Sequence, residues 1–92
     1  MILYVAPKYG FTYEGVKCNI FHVNINEGLT KHQHTYNHIT FCTAGACKVS
    51  LEGRSYIINK NSQPLDLPAN EWHEIEAIEN NTIFINIFKE NK

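Results

Sequence analysis

Three histidines lie within seven residues of this chain, in the segment His32-Gln-His34-Thr-Tyr-Asn-His38, and a fourth, His73, follows later. Imidazole is the commonest metal ligand near neutral pH, because it is largely uncharged there and offers a lone pair on either ring nitrogen. A lone histidine is more often an ordinary core or surface residue, but four in this arrangement favour a bound metal. The fifth histidine, His22, lies in an ordinary strand pattern and is not assigned to the site.

The spacing of these histidines suits an extended backbone. Residues two apart share one face of a strand, so His32 and His34 point the same way. On a helix they would diverge by about 200°. His34 and His38 alone would suit a helix, but the residues after His38, 39–43, are β-branched and aromatic, which favours a strand. Two extended segments therefore meet near Tyr36, and His73 must come from a separate strand.

Length and charge limit the class of protein. With 92 residues, the chain is expected to form one domain, 1–92, with a modest core. Eight basic and nine acidic side chains give a net charge of −1 with no block of like charge, which argues against a nucleic-acid or membrane-surface binder. No apolar run is long enough to cross a bilayer, and the N-terminus lacks the basic start of a signal peptide. We therefore expect a cytoplasmic protein.

The cysteines do not form a metal-binding pattern. Cys18, Cys42 and Cys47 cannot all pair, so free thiols are expected. There is no Cys-x-x-Cys, and any metal should be held mainly by nitrogen.

Short apolar runs separated by turn residues recur along the chain, and no segment holds a helical period. Glu52-Gly53 predicts a tight hairpin, in which the glycine supplies a positive φ. Many short strands with regular turns predict an all-β sandwich or small barrel with little or no helix. The predicted strands are 2–5, 11–13, 16–25, 32–35, 38–44, 46–51, 54–58, 64–67, 72–78 and 82–88.

Alternation along the strands assigns their faces. If His38 points inward, Thr40 and Cys42 follow it, and if His73 points inward, Ile75 and Ala77 follow it. The outward set then contains three large apolar residues that a lone small domain would leave exposed: Ile39, Phe41 and Trp72. Together with the apolar N-terminal strand, they predict a homodimer, in which that strand crosses to the partner sheet.

Two motifs resemble those of the cupin superfamily. The first is Gly28 followed by His32-x-His34-x3-His38-x6-Gly45, and the second is Pro68-Ala-Asn70-Glu-Trp-His73. The similarity covers residues 28–77. His38 stands where most cupins carry glutamate, so the chain resembles the four-histidine minority. Asn70 replaces the glycine of the second motif, and asparagine tolerates left-handed φ better than other non-glycine residues.

Further departures leave the four histidines in place. Ser62 stands where a glycine is usual, Ala77 stands where asparagine is frequent, and the spacer from Gly28 to His32 is two residues shorter than usual. The resemblance implies a conical, jelly-roll-like double-sheet β-barrel. It also implies one divalent metal ion, usually manganese, iron, nickel or zinc, bound by His32, His34, His38 and His73. Members include dioxygenases, isomerases, polyketide cyclases and non-enzymatic binding proteins, so the fold does not fix the function.

Four neutral imidazoles would leave the metal its full positive charge, and open coordination positions would admit oxygen, water or substrate. No general base is evident. Tyr36, Thr40 and Cys42 are expected near the pocket, although Cys42 also suits the core. We expect a metal-dependent enzyme of the oxygenase type acting on a small chelating substrate. The alternatives are a non-catalytic metal- or ligand-binding sensor module and a metal-dependent isomerase or cyclase. Either face of the last strand, 82–88, could line the cavity.

Overall fold

A computed structural model describes residues 1–89, which form ten β-strands and no helix. The strands are β1 (Leu3–Tyr4), β2 (Tyr9–Tyr13), β3 (Val16–Val23), β4 (Glu27–His32), β5 (His38–Ala44), β6 (Ala46–Leu51), β7 (Arg54–Asn59), β8 (Leu65–Leu67), β9 (His73–Ala77) and β10 (Thr82–Lys89). The near absence of helix agrees with the sequence prediction. No helix within residues 1–89 could span a membrane.

The strands form two five-stranded sheets that enclose one core. The first sheet has the order β1-β4-β9-β6-β7, and the second has the order β2-β3-β10-β5-β8. Phe21 and Phe84 stack on the inner face of the second sheet, with ring centroids 4.5 Å apart. Ile75 and Val49 of the first sheet are fully buried in the same cluster. The arrangement is a jelly-roll-like, all-β double-sheet barrel, as predicted.

The predicted strand faces are confirmed. His38, Thr40 and Cys42 are buried on β5, whereas Ile39 and Phe41 between them are only half-buried. On β9, buried residues likewise alternate with half-buried ones, beginning with buried His73. Leu51 pairs with Arg54 across the predicted Glu52-Gly53 hairpin, and Gly53 has φ of 75°.

One strand is placed differently from the prediction. The sequence predicts a strand over 32–35, but β4 covers Glu27–His32 and ends at the first histidine of the motif. His34 therefore follows the strand in irregular backbone. The physical reason is that the pairing of β4 with β9 becomes irregular between Leu29 and His32, so His32 and His34 are not neighbours on one regular strand.

The N-terminal strand stays within its own chain. β1 pairs in parallel with β4, and Val5 N donates to the Gly28 carbonyl at 3.0 Å. This pairing covers the edge of the first sheet, and the crossing of the strand to a partner subunit stays a prediction. Trp72 is half-buried, and Lys31 Nζ lies 4.3 Å from its ring centroid.

Candidate metal centre

His32 reaches the site because β4 and β9 approach each other closely. It pairs directly with His73 across these two strands. Earlier in β4, Gly28 has φ of 156°, and a Cβ there would collide with the Ile75 carbonyl of β9. Only glycine fits both the backbone conformation and the space. Gly28 therefore allows the contact between strands that brings His32 beside His73.

The loop that carries His34 is attached to the second motif by two hydrogen bonds. Asn70 N donates to the His34 carbonyl at 2.6 Å, and Ala69 N donates to Asn37 Oδ1 at 2.7 Å. Asn70 adopts φ of 65°, which confirms that asparagine takes the left-handed position of the usual glycine. The two motifs thus hold each other in place.

His38 and His73 begin β5 and β9, and both are almost fully buried, at 4% and 0% exposure. Their Nε2 atoms lie 3.2 Å apart. His73 Nδ1 lies 3.4 Å from the Glu71 carbonyl, which can only accept, so an N–H at Nδ1 leaves the lone pair of His73 on Nε2. His38 Nδ1 is buried and has no hydrogen-bond partner within residues 1–89.

Three of the histidines are placed to hold a metal ion. One ring nitrogen from each of His32, His34 and His73 lies within 4.8 Å of the others. His32 Nδ1 donates to the Thr30 carbonyl at 2.6 Å, which fixes its tautomer and leaves Nε2 free. Such a second hydrogen bond is what metal-bound histidines usually make. The donor set and its orientation therefore fit a divalent ion.

Burial favours the neutral form of the His34, His38 and His73 rings. It lowers the pKa of His38 to about 3, and repulsion from His73, His34 and His32 adds to the effect. Burial, followed by repulsion from His32, lowers the pKa of His73 to about 4. The pKa of His34 is also lowered, by burial and by His32. A metal ion therefore meets lone pairs that need not first lose a proton near pH 7.

An ion pair supports the carbonyl that orients His73. Arg54 of β7 makes two hydrogen bonds to the Glu71 carboxylate, at 2.6 and 3.1 Å. The guanidinium of Arg54 lowers the pKa of that carboxyl group. Because the backbone carbonyl of Glu71 accepts from His73 Nδ1, the pair stabilises the segment that positions the ring.

A cavity of about 320 Å³ opens on the histidines. His32, His34 and His38 line it together with Tyr36. Tyr36 stacks between the rings of His34 and Phe88, at 4.8 Å from each ring centroid. The cavity residues within the described chain are Tyr4, Pro7, Asn19, Phe21, Leu29, Thr30, His32, His34, Tyr36, His38, Asn86 and Phe88.

The other expected pocket residues lie elsewhere. Thr40 is fully buried behind the cavity wall, and its hydroxyl donates to Asn86 Oδ1 at 2.6 Å. Cys42 is packed in the core, and its Sγ donates to the Ala44 carbonyl at 3.0 Å. Burial raises the pKa of this thiol, which suits a core residue rather than a nucleophile. His22 is exposed and lies apart from the cluster.

Eight of the twelve cavity residues were not assigned from the sequence, and three of them, Asn19, Asn86 and Phe88, lie on neighbouring strands of the second sheet. Asn86 and Phe88 belong to the last strand, whose inward face could not be chosen without its pairing: Phe88 lies opposite His38, and Asn86 lies opposite Thr40. Asn19 pairs with Asn86 on the other side. A polar Asn86 within an otherwise apolar strand was the available sign, since a buried amide requires a partner.

A match to a protein-family model shows which family this chain belongs to. The sequence model described as AraC-like ligand binding domain matches residues 20–89, more than half of the chain. The chain belongs to this cupin-type family. The matched residues span the positions of all four motif histidines, and the description of the model names ligand binding. No curated protein matches the chain.

Solved structures confirm the cupin fold. The structure of KdgF from Halomonas sp. is 20% identical with a TM-score of 0.70, over 91% of this chain and 89% of that one. Protein NMB1881 from Neisseria meningitidis is 18% identical with a TM-score of 0.77, over 98% and 89%. A cupin 2 domain-containing protein from Halorhodospira halophila is 17% identical with a TM-score of 0.79, over 90% and 62%. At these identities the likeness concerns the fold alone.

Proposed function

We propose that this cupin chain binds one divalent metal ion through His32, His34, His38 and His73, and binds a small organic ligand at that ion. The observation that carries the proposal is the convergence of one ring nitrogen each from His32, His34 and His73, beside a cavity of about 320 Å³ that His32 and His34 line. His38 is included because its Nε2 lies 3.2 Å from that of His73. The ligand-binding family supports the second half of the proposal.

The residues that line the cavity indicate the chemical class of the ligand. Phe21, Leu29 and Phe88 supply apolar surface, and Tyr36 adds an aromatic ring. The lining within residues 1–89 contains no carboxylate and no lysine. A bound divalent ion would polarise a coordinated oxygen and attract an anionic group. An apolar body with one coordinating oxygen group therefore fits best, in a volume at the small end of known ligand sites.

The direct test is metal and ligand binding by the purified protein. Elemental analysis should find one manganese, iron, nickel or zinc ion per chain. Calorimetry should then show that a small carboxylate binds the loaded protein and does not bind after the metal is removed. Binding of carboxylate that is independent of the metal would contradict the proposal.

A second candidate is catalysis of the oxygenase type. It is favoured by the lack of carboxylate and lysine side chains in the cavity, since such a reaction needs few protein acids or bases. The chain would contribute binding, orientation and exclusion of water around the substrate. Oxygen consumption by iron- or manganese-loaded protein with small enolates and carboxylates tests it, and binding without turnover would leave the sensor function.

We also propose that the chain is a single cytoplasmic domain that forms a homodimer. Its interface would be the outer face of the second sheet, on which strand pairing places mostly apolar residues. Phe11 and Tyr13 on this face are 54% and 70% exposed. The apolar residues of this face are Tyr9, Phe11, Tyr13, Val16, Cys18, Ile20, Ile39, Phe41, Ile83, Ile85 and Ile87, and the polar residues His22, Asp66 and Lys89 lie on the same face. An isologous contact through one such face would cover Ile39 and Phe41 in both copies.

A further inference from the structure

The cavity contains a second polar feature besides the histidines. Asn86 lies in the middle of β10 on the inward face and is 5% exposed. Its neighbours across the sheet are Asn19 on β3 and Thr40 on β5. A buried amide has two N–H donors and two acceptor lone pairs. Those that the protein leaves unpaired are available to a ligand.

Thr40 fixes the orientation of this amide. Its hydroxyl donates to Asn86 Oδ1 at 2.6 Å, and Thr40 itself is fully buried. Within residues 1–89, the Asn86 Nδ2 donates to no protein acceptor, yet it is not among the side-chain atoms sealed from solvent. Asn86 also lines the cavity. The amide therefore presents N–H donors toward the ligand space, with its oxygen already engaged.

The distance from Asn86 to the histidines suits one small molecule. Phe88 pairs with His38, and Asn86 pairs with Thr40, which lies two residues further along β5. Two residues along a strand span about 7 Å. A ligand held at the metal could thus reach Asn86 with a second oxygen.

We propose that Asn86, oriented by Thr40, determines specificity by donating a hydrogen bond to a second oxygen of the metal-bound ligand. The inference rests on the proposed metal-dependent ligand site and names its ligand class: small carboxylates that carry a further oxygen, such as 2-oxo acids, with a short apolar or aromatic body. The donor side of the amide selects an oxygen acceptor at this position. Thr40 is a positioning residue, because it acts on the ligand only through Asn86.

Calorimetry with the zinc-loaded full chain tests the proposal, with 2-oxobutyrate and phenylpyruvate as probes. Imidazole, which can occupy the metal but offers no oxygen, is the control ligand. Asn86→Leu should weaken carboxylate binding about twofold to tenfold, the usual range for a lost hydrogen bond between neutral groups. Imidazole and zinc affinity should not change. Asn86→Asp should weaken carboxylate binding further, because two negative charges then meet.

The Thr40 variants separate positioning from simple stability. Thr40→Val should reduce carboxylate affinity without affecting imidazole, and Thr40→Ser, which keeps the hydroxyl, should restore it. Unchanged carboxylate affinity in both Asn86→Leu and Asn86→Asp, with zinc still bound, would overturn the role of Asn86 and leave the metal site intact. If the native chain binds zinc but neither probe, the ligand class is wrong. If it binds no metal, the proposed function fails as well.

Discussion

Removing the metal should make the protein sensitive to mild acid, because two buried histidines are held neutral. The pKa of His38 is lowered from 6.5 to about 3 and that of His73 from 6.5 to about 4. Between the folded-state pKa of each histidine and the unfolded value of 6.5, the unfolded chain binds a proton that the folded chain does not bind. Stability is therefore full above pH 6.5 and falls as the pH drops toward the folded pKa values.

The size of the loss in folding stability follows from the pKa of histidine in the unfolded chain. At pH 5 an unfolded histidine lies about 1.5 units below its pKa, which corresponds to about 2 kcal/mol for each group. Two such histidines would remove about 4 kcal/mol at most, a large part of the 5–15 kcal/mol that stabilises a typical small domain. Urea unfolding of the metal-free protein at pH 7 and pH 5 measures this difference.

A matched pair of variants assigns the effect. His73→Leu has a similar volume and cannot take up a proton, so it should reduce the pH dependence by about half. His22→Gln removes an exposed histidine outside the site and is the control for the loss of one histidine. Equal stability of the metal-free protein at both pH values, or full pH dependence in His73→Leu, would refute the claim that these rings are buried as neutral ligands.

Three further predictions concern the site and the outer face. His73→Ala should lower metal affinity at least about a hundredfold in calorimetry while circular dichroism retains the strand signal, since outer-sphere changes alone cost tenfold to a hundredfold; an unchanged affinity would exclude His73 as a ligand. His38→Glu should keep the metal but weaken carboxylate binding, because it adds a negative charge at the ion; tighter carboxylate binding would argue against that reasoning. Light scattering should report twice the 10.6 kDa of one chain, and Phe41→Glu should shift it toward one chain; a monomeric native protein would rule out the dimer.

The sequence predicted most of the barrel because its strands alternate strongly. On β5, the inward positions of Thr40 and Cys42 followed from His38 alone. Two turns were also predicted from residue type, and Gly53 and Asn70 both take positive φ there. Local pattern and final fold agree at these points, so short-range rules were sufficient.

The rest depended on contacts between distant parts of the chain. The end of β4 at His32 is set by its irregular pairing with β9, which no local pattern shows. The inward face of β10 is set by β3 and β5 on either side, and this pairing alone places Asn86 in the cavity. Cys42 was expected near the pocket from its parity with His38, but the face continues past the cavity into the core.

The central claim is that four histidines hold one metal ion, and a crystal structure of the metal-loaded protein tests it most directly. Anomalous scattering at the metal edge should locate one ion bonded to ring nitrogens of His32, His34, His38 and His73, at roughly the 2.0–2.1 Å typical of zinc. His32 Nδ1 and His73 Nδ1 should keep their hydrogen bonds to the carbonyls of Thr30 and Glu71. An ion bound elsewhere on the chain, or four rings pointing apart with metal supplied, would contradict the account.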